Sequence, residues 1–107
     1  MQKIEKLTAA GFPVAVRSGV VLVDFFAQWH GPCHKQGDLL NALADKDSFP
    51  EDVRITKVDI DEAPVIAAKF EVEVVPTLVV FQDGEEVGRI TGCTDEAGVM
   101  QLFQSRK

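Results

Sequence analysis

The run Gly19-Val20-Val21-Leu22-Val23-Asp24-Phe25-Phe26-Ala27 leaves this chain few possible folds, because it is β-branched and aromatic and apolar on both faces. A strand with one wet face alternates apolar and polar residues. A strand without one needs cover on both sides. The run therefore predicts a central strand in a sheet sandwiched between helices. Asp24 is its one carboxylate, and in such a setting it must be paired, hydrated or protonated.

The flanking patterns alternate between the two periods. Gly31-Pro32 precedes a helical stripe of Leu39, Leu40, Leu43 and Ala44, and proline is well tolerated in a first helical turn. That helix is expected to stop near Phe49-Pro50. Val53, Ile55, Lys57 and Asp59 alternate with Arg54, Thr56, Val58 and Ile60 as a second strand. Pro64 opens a short helix through Ala67, Ala68 and Phe70, and Thr77 to Phe81 reads as a third strand. Asp83-Gly84 is a hairpin signal, with Val87 to Thr91 returning. Thr94 or Asp95 can cap a last helix packed through Val99, Leu102 and Phe103. An edge strand and a helix are expected before Arg17. The order is β-α-β-α-β-α-β-β-α, an α/β class with a mixed central sheet flanked by helices on both faces. Strands joined by helices are expected to pair in parallel, with the hairpin adding an antiparallel edge.

A length of 107 residues suits one domain, here residues 1–107, and 46% hydrophobic with 26% charged residues is ordinary for a globular protein. The net charge of -6, without a Lys/Arg cluster, disfavours nucleic acid and anionic membrane partners. Two cysteines, Cys33 and Cys93, are too few for a secreted disulfide framework. The opening residues carry no apolar core of a signal peptide, and no apolar run is long enough to span a bilayer. A reducing, cytoplasmic location is the expectation.

Several of these residues also match a known family in order and spacing. Val23 to Cys33, ending Trp29-His30-Gly31-Pro32-Cys33, resembles the thioredoxin strand and active-site turn, which normally ends Trp-Cys-Gly-Pro-Cys. Lys57-Val58-Asp59-Ile60-Asp61 is similar to that family's third strand. Val75-Pro76-Thr77 resembles its cis-proline segment, and Asp83-Gly84 with Gly92 its hairpin and final loop. The resemblance covers nearly the whole chain and implies the thioredoxin fold. Two departures stand out: His30 replaces the first cysteine, and His34-Lys35-Gln36-Gly37-Asp38 replaces a usually apolar segment with proline where Asp38 stands.

In the family the first cysteine attacks a partner's disulfide and the second resolves the product. Imidazole forms no disulfide, so the resemblance implies a motif with one thiol, Cys33, with Cys93 a candidate substitute partner to resolve its mixed disulfide. By the same resemblance Asp24 moves a proton for Cys33 and Lys57 stands beside Asp24. A buried Asp24–Lys57 pair without a catalytic part is the competing reading. A protonated His30 would lower the Cys33 pKa, whereas the helix N-terminus disfavours that charge. Trp29, Gly31, Pro32, Val75, Pro76, Gly92 and Cys93 match the groove that holds a partner's extended segment, with Pro76 expected cis. Trp29 as core packing and Cys93 as a small apolar loop residue are the plainer alternatives. His34 reads as a solvated substitute for the family's lysine.

The implied partners are protein disulfides or thiols, with thioredoxin reductase as a candidate reductant; a monomer without cofactor or metal is expected. Three other readings stand beside it: a redox-silent binding module, a Cys-to-His variant of an ordinary dithiol member, and a His30–Cys33–His34 metal centre. A Cys-His protease, with Asp24 orienting His30, has no further support in the sequence.

Overall fold

A computed structural model describes residues 4–105. Ten elements follow in order: β1 (Glu5–Lys6), α1 (Phe12–Val16), β2 (Val20–Phe26), α2 (Gly31–Ala44), β3 (Val53–Asp59), α3 (Pro64–Lys69), β4 (Thr77–Gln82), β5 (Glu85–Thr91), α4 (Glu96–Leu102) and a 3₁₀ turn at Phe103–Ser105. The five strands form one sheet in the order β1-β3-β2-β4-β5. β2 is thus a central strand, and it is buried from Val20 through Phe25.

Alternate residues of β2 enter different layers, as the period of two requires. Val21, Val23 and Phe25 pack with Phe12 and Val16 of α1 and with Ile66 and Ala67 of α3. Val20 and Leu22 pack with Leu40, Leu43 and Ala44 of α2 and with Val99 and Leu102 of α4. Helices therefore cover both faces of the sheet. By the same alternation Asp24 belongs to the α2 side, and it pairs in register with Lys57 on β3.

One expectation about strand direction is corrected. β1, β3 and β2 run parallel, but β4 is antiparallel to β2, although a helix connects β3 to β4. The short α3 is followed by an irregular segment through Pro76, and this longer connection lets the chain enter the sheet from the other end. The hairpin expectation holds: β4 and β5 are joined by Asp83 at φ 51° and Gly84 at φ 89°. Positive φ at both central residues is the conformation of a type I′ turn, which matches the twist of paired strands. β5 begins at Glu85 rather than Val87, with a register irregularity at Val80/Phe81.

α2 opens with Pro32 in its first turn and runs without interruption past Gly37. A Cβ added at Gly37 would meet no heavy atom within 4 Å. Gly37→Ala is therefore expected to raise stability by about 1 kcal/mol in urea denaturation. A loss of stability would show instead that α2 needs a glycine there.

Candidate active site

The strand-to-helix turn after β2 delivers the motif. Ala27 is buried, Gln28 and Trp29 emerge, and His30 is the N-cap residue of α2, in extended conformation without a side-chain cap bond. Cys33 falls on the inward face of the first turn and is only 4% exposed. The i, i+3 spacing brings His30 Nδ1 to 3.4 Å from Cys33 Sγ, within hydrogen-bonding distance for sulfur. The imidazole also sits edge-on to Trp29, with ring centroids 5.5 Å apart.

Burial is the largest influence on the Cys33 thiol. Its thiol pKa is raised, first by desolvation, and further by the charges of Asp24 and Cys93; a hydrogen bond involving the Ala27 backbone opposes them. Asp24 is pushed up to about 7, again by burial, with the Lys57 charge pulling it back. The expected buried pair is not formed as such: Lys57 acts through its charge, its Nζ lies 5.7 Å from the centroid of the Phe26 ring, and Asp24 Oδ1 has no hydrogen-bond partner among the described residues. Lys57 is only half-buried, so water competes for its ammonium.

Beside the motif turn, two further loops converge. The Val75-Pro76 peptide bond is cis, as expected, and Gly92, at φ 91°, donates its N–H to the Pro76 carbonyl at 2.8 Å. Cys93 is exposed, and its Sγ lies 3.7 Å from the Pro32 carbonyl oxygen. Trp29 is 69% exposed, so it is not core packing; its Nε1–H donates to Asp61 Oδ2 at 2.9 Å. The structure thus brings Trp29, Pro32 and Cys33 of the α2 start together with Pro76, Gly92 and Cys93. Gly31 is exposed at the first position of α2 and Val75 half-buried beside Pro76.

His34 is exposed, as its reading as a solvated residue expects, and its Nε2 also donates to the Gln28 carbonyl at 2.7 Å, which ties the first turn of α2 back to the motif. Among the described residues no group of three or more His, Cys, Asp or Glu side chains is placed to hold a metal. Two further residues escaped the sequence reading. Gln36 is 2% exposed and accepts the Thr94 backbone N–H at 2.8 Å, fixing the loop that bears Cys93. Its signal was a polar residue at i+3 from Cys33 on the buried stripe of α2. Asp61, which orients Trp29, carried no local signal.

A cysteine at a helix start, a carboxylate buried behind it and a cis-proline loop beside it, on a mixed sheet covered by helices, define a thiol-chemistry site on an α/β scaffold. Comparison with known proteins gives the family. The thioredoxin family model matches residues 3–105. A thioredoxin of Staphylococcus haemolyticus is 47% identical over 100 residues, 94% of each chain. One of Chlamydia trachomatis is 38% identical over 104 residues, covering 97% of this chain and 99% of that protein. The crystal structure of mitochondrial thioredoxin 3 from Saccharomyces cerevisiae in its oxidized form superposes with a TM-score of 0.82 at 35% identity, covering 94% of both chains. The chain belongs to the thioredoxin family, and by family it is a redox protein.

The raised Asp24 pKa makes stability depend on pH. The folded chain holds this proton more tightly than the unfolded chain, so stability falls as pH rises from 3.8 through about 7. At about 1.4 kcal/mol per pH unit the loss is on the order of 4 kcal/mol. Asp24→Asn removes the titration, so the variant is expected to gain on the parent across that window and most above pH 7. Parallel urea-denaturation curves at pH 5 and pH 8 would place the pH dependence elsewhere.

Proposed function

We propose that this protein exchanges thiols with protein disulfides through one motif thiol, Cys33, and that its turnover as a disulfide reductase is slow. The observation that carries this reading is the substitution at the start of α2. Where the family has two sulfurs, this chain has one sulfur and an imidazole 3.4 Å from it. The partner's segment lies extended along Trp29, Gly31, Pro32, Val75, Pro76, Gly92 and Cys93, which three loops hold together.

Cys33 attacks as the thiolate. His30 Nδ1 is the base within reach of the thiol proton. A protonated Asp24, or one whose charge Lys57 offsets, eases formation of the thiolate, because its carboxylate charge raises the Cys33 pKa. Attack breaks the partner's S–S bond, joins one sulfur to Cys33, and sends the electron pair to the other, which takes the proton from His30. A dithiol member would then expel the partner with its second sulfur. Histidine offers none, so release awaits an external thiol or a reductase such as thioredoxin reductase. A reducing compartment such as the cytoplasm keeps Cys33 in its working state, and the protein acts as a monomer.

A binding module without electron transfer is the second reading, favoured by the burial of Cys33. The two separate in a protein-disulfide reduction assay driven by dithiothreitol. Slow activity is expected, abolished by Cys33→Ser and raised more than about tenfold by His30→Cys, which restores the resolving chemistry. Fast turnover that survives Cys33→Ser would overturn the mechanism. Partner capture that persists in Cys33→Ser but weakens about tenfold in Trp29→Ala would select the binding module.

A further inference from the structure

Cys33 has a second approach, away from the loops of Trp29, Pro76 and Gly92. A groove of about 770 Å³ runs beside α2, and Cys33 and Asp24 both line it. None of Trp29, His30, Val75, Pro76 or Gly92 does. Its size falls within the range of small-molecule sites. Asp24 borders this space although it is 3% exposed, and its Oδ1, fully buried, has no hydrogen-bond partner among the described residues. Gly37 keeps the wall open, since a Cβ there would meet nothing within 4 Å. Glu5, Asp24 and Asp38 line the groove against Lys6, Lys57 and His34; Lys6 is engaged by Glu62 at 2.9 Å and His34 Nε2 by the Gln28 carbonyl at 2.7 Å. The balance favours a ligand that brings positive charge and N–H donors.

We propose that this groove admits a low-molecular-weight disulfide bearing an ammonium group, which reacts with Cys33 directly and without a protein partner. The proposal rests on Cys33 being the reacting thiol. The ammonium sits against the acidic lining beside Asp24 and offsets the carboxylate charge that opposes the Cys33 thiolate. His30 Nδ1 takes the thiol proton, and the thiolate attacks the nearer sulfur. The ligand's S–S bond breaks as the Cys33–S bond forms, and the departing thiolate takes the electron pair and then the proton from His30. A second molecule of the small thiol reverses the exchange, regenerating Cys33 and the disulfide. The bound ligand thus supplies the cation that Lys57 provides incompletely.

The test uses the reduced full-length protein with two disulfides of similar length, dicationic cystamine and dianionic 3,3′-dithiodipropionate. Adduct formation at Cys33 and at Cys93 is followed separately by peptide mapping and mass spectrometry. The exposed Cys93 reports the intrinsic reactivity of each reagent in the same solution. Cys33 is expected to prefer cystamine at least about tenfold more than Cys93 does, a difference attributable to local charge. Gly37→Leu, which places a side chain in the groove and improves helix propensity, is expected to slow Cys33 several-fold and leave Cys93 unchanged. Asp38→Asn is expected to reduce the charge preference at Cys33. The same preference at both cysteines, or a Cys33 rate indifferent to Gly37→Leu, overturns the groove. A Cys33 that forms mixed disulfides with protein substrates but shows no such preference refutes this proposal alone. A Cys33 inert to both kinds of disulfide refutes the reading on which it rests.

Discussion

Asp24 is a carboxylate in the middle of a strand that has no wet face, and the arrangement of the site follows from that placement. β2 is bonded to β3 on one side and β4 on the other, and its side chains enter two helical layers. Such a strand orders the whole sheet, but it also removes Asp24 from water. Desolvation opposes the charged form more strongly than Lys57 favours it, so the group titrates near neutrality, at about 7. A fully compensated carboxylate would be a fixed charge. This one can take up or release a proton near neutrality, and its burial behind the thiol costs stability.

The second organising element is the inward stripe of α2. Cys33, Gln36, Leu40 and Leu43 follow one another at intervals of three and four, so one helical face carries both the thiol and the core contacts. His30 continues the stripe backwards at the N-cap. The burial that anchors α2 through Leu40 and Leu43 is therefore the burial that raises the Cys33 pKa. Gln36 extends the same face to the loop of Thr94, which carries Cys93 to within 3.7 Å of the Pro32 carbonyl oxygen. The core of the α2 layer and the reactivity of the site are two consequences of one helix docking.

What the sequence made legible was local. The apolar run of β2, proline in the first turn of α2 and the Asp83-Gly84 turn each depend on neighbouring residues, the cis bond before Pro76 followed from the family resemblance, and each is found where expected. Strand direction was different in kind. Thr77 to Phe81 reads the same whether the chain enters from either end, and the course of residues 70–76 sets β4 antiparallel to β2. Side-chain partnerships distant in sequence were also hidden: Trp29 with Asp61, and Gln36 with Thr94. The motif named Cys33, Asp24 and Lys57 correctly as neighbours. It did not disclose that Lys57 stays half in water, because exposure of a lysine is set by what lies above it rather than by its own strand.

On the mechanism we propose, replacing the attacking sulfur with imidazole changes which step limits the chemistry, and the parts played by Cys33, His30 and Cys93 rest on that proposal. In a dithiol member the exposed first cysteine meets the partner and the buried second one meets only the first. Here the buried thiol must do both. His30 stands 3.4 Å from Cys33 Sγ, so it screens the thiol on one side while offering a base on that side. Cys93 does not simply restore the missing sulfur. It is exposed, and its charge raises the Cys33 pKa. Access and ionisation at Cys33, rather than resolution by a neighbour, are therefore the quantities through which surrounding residues can tune this site. Both are governed by groups that face Cys33 from β2 and α2, Asp24 and His30 foremost.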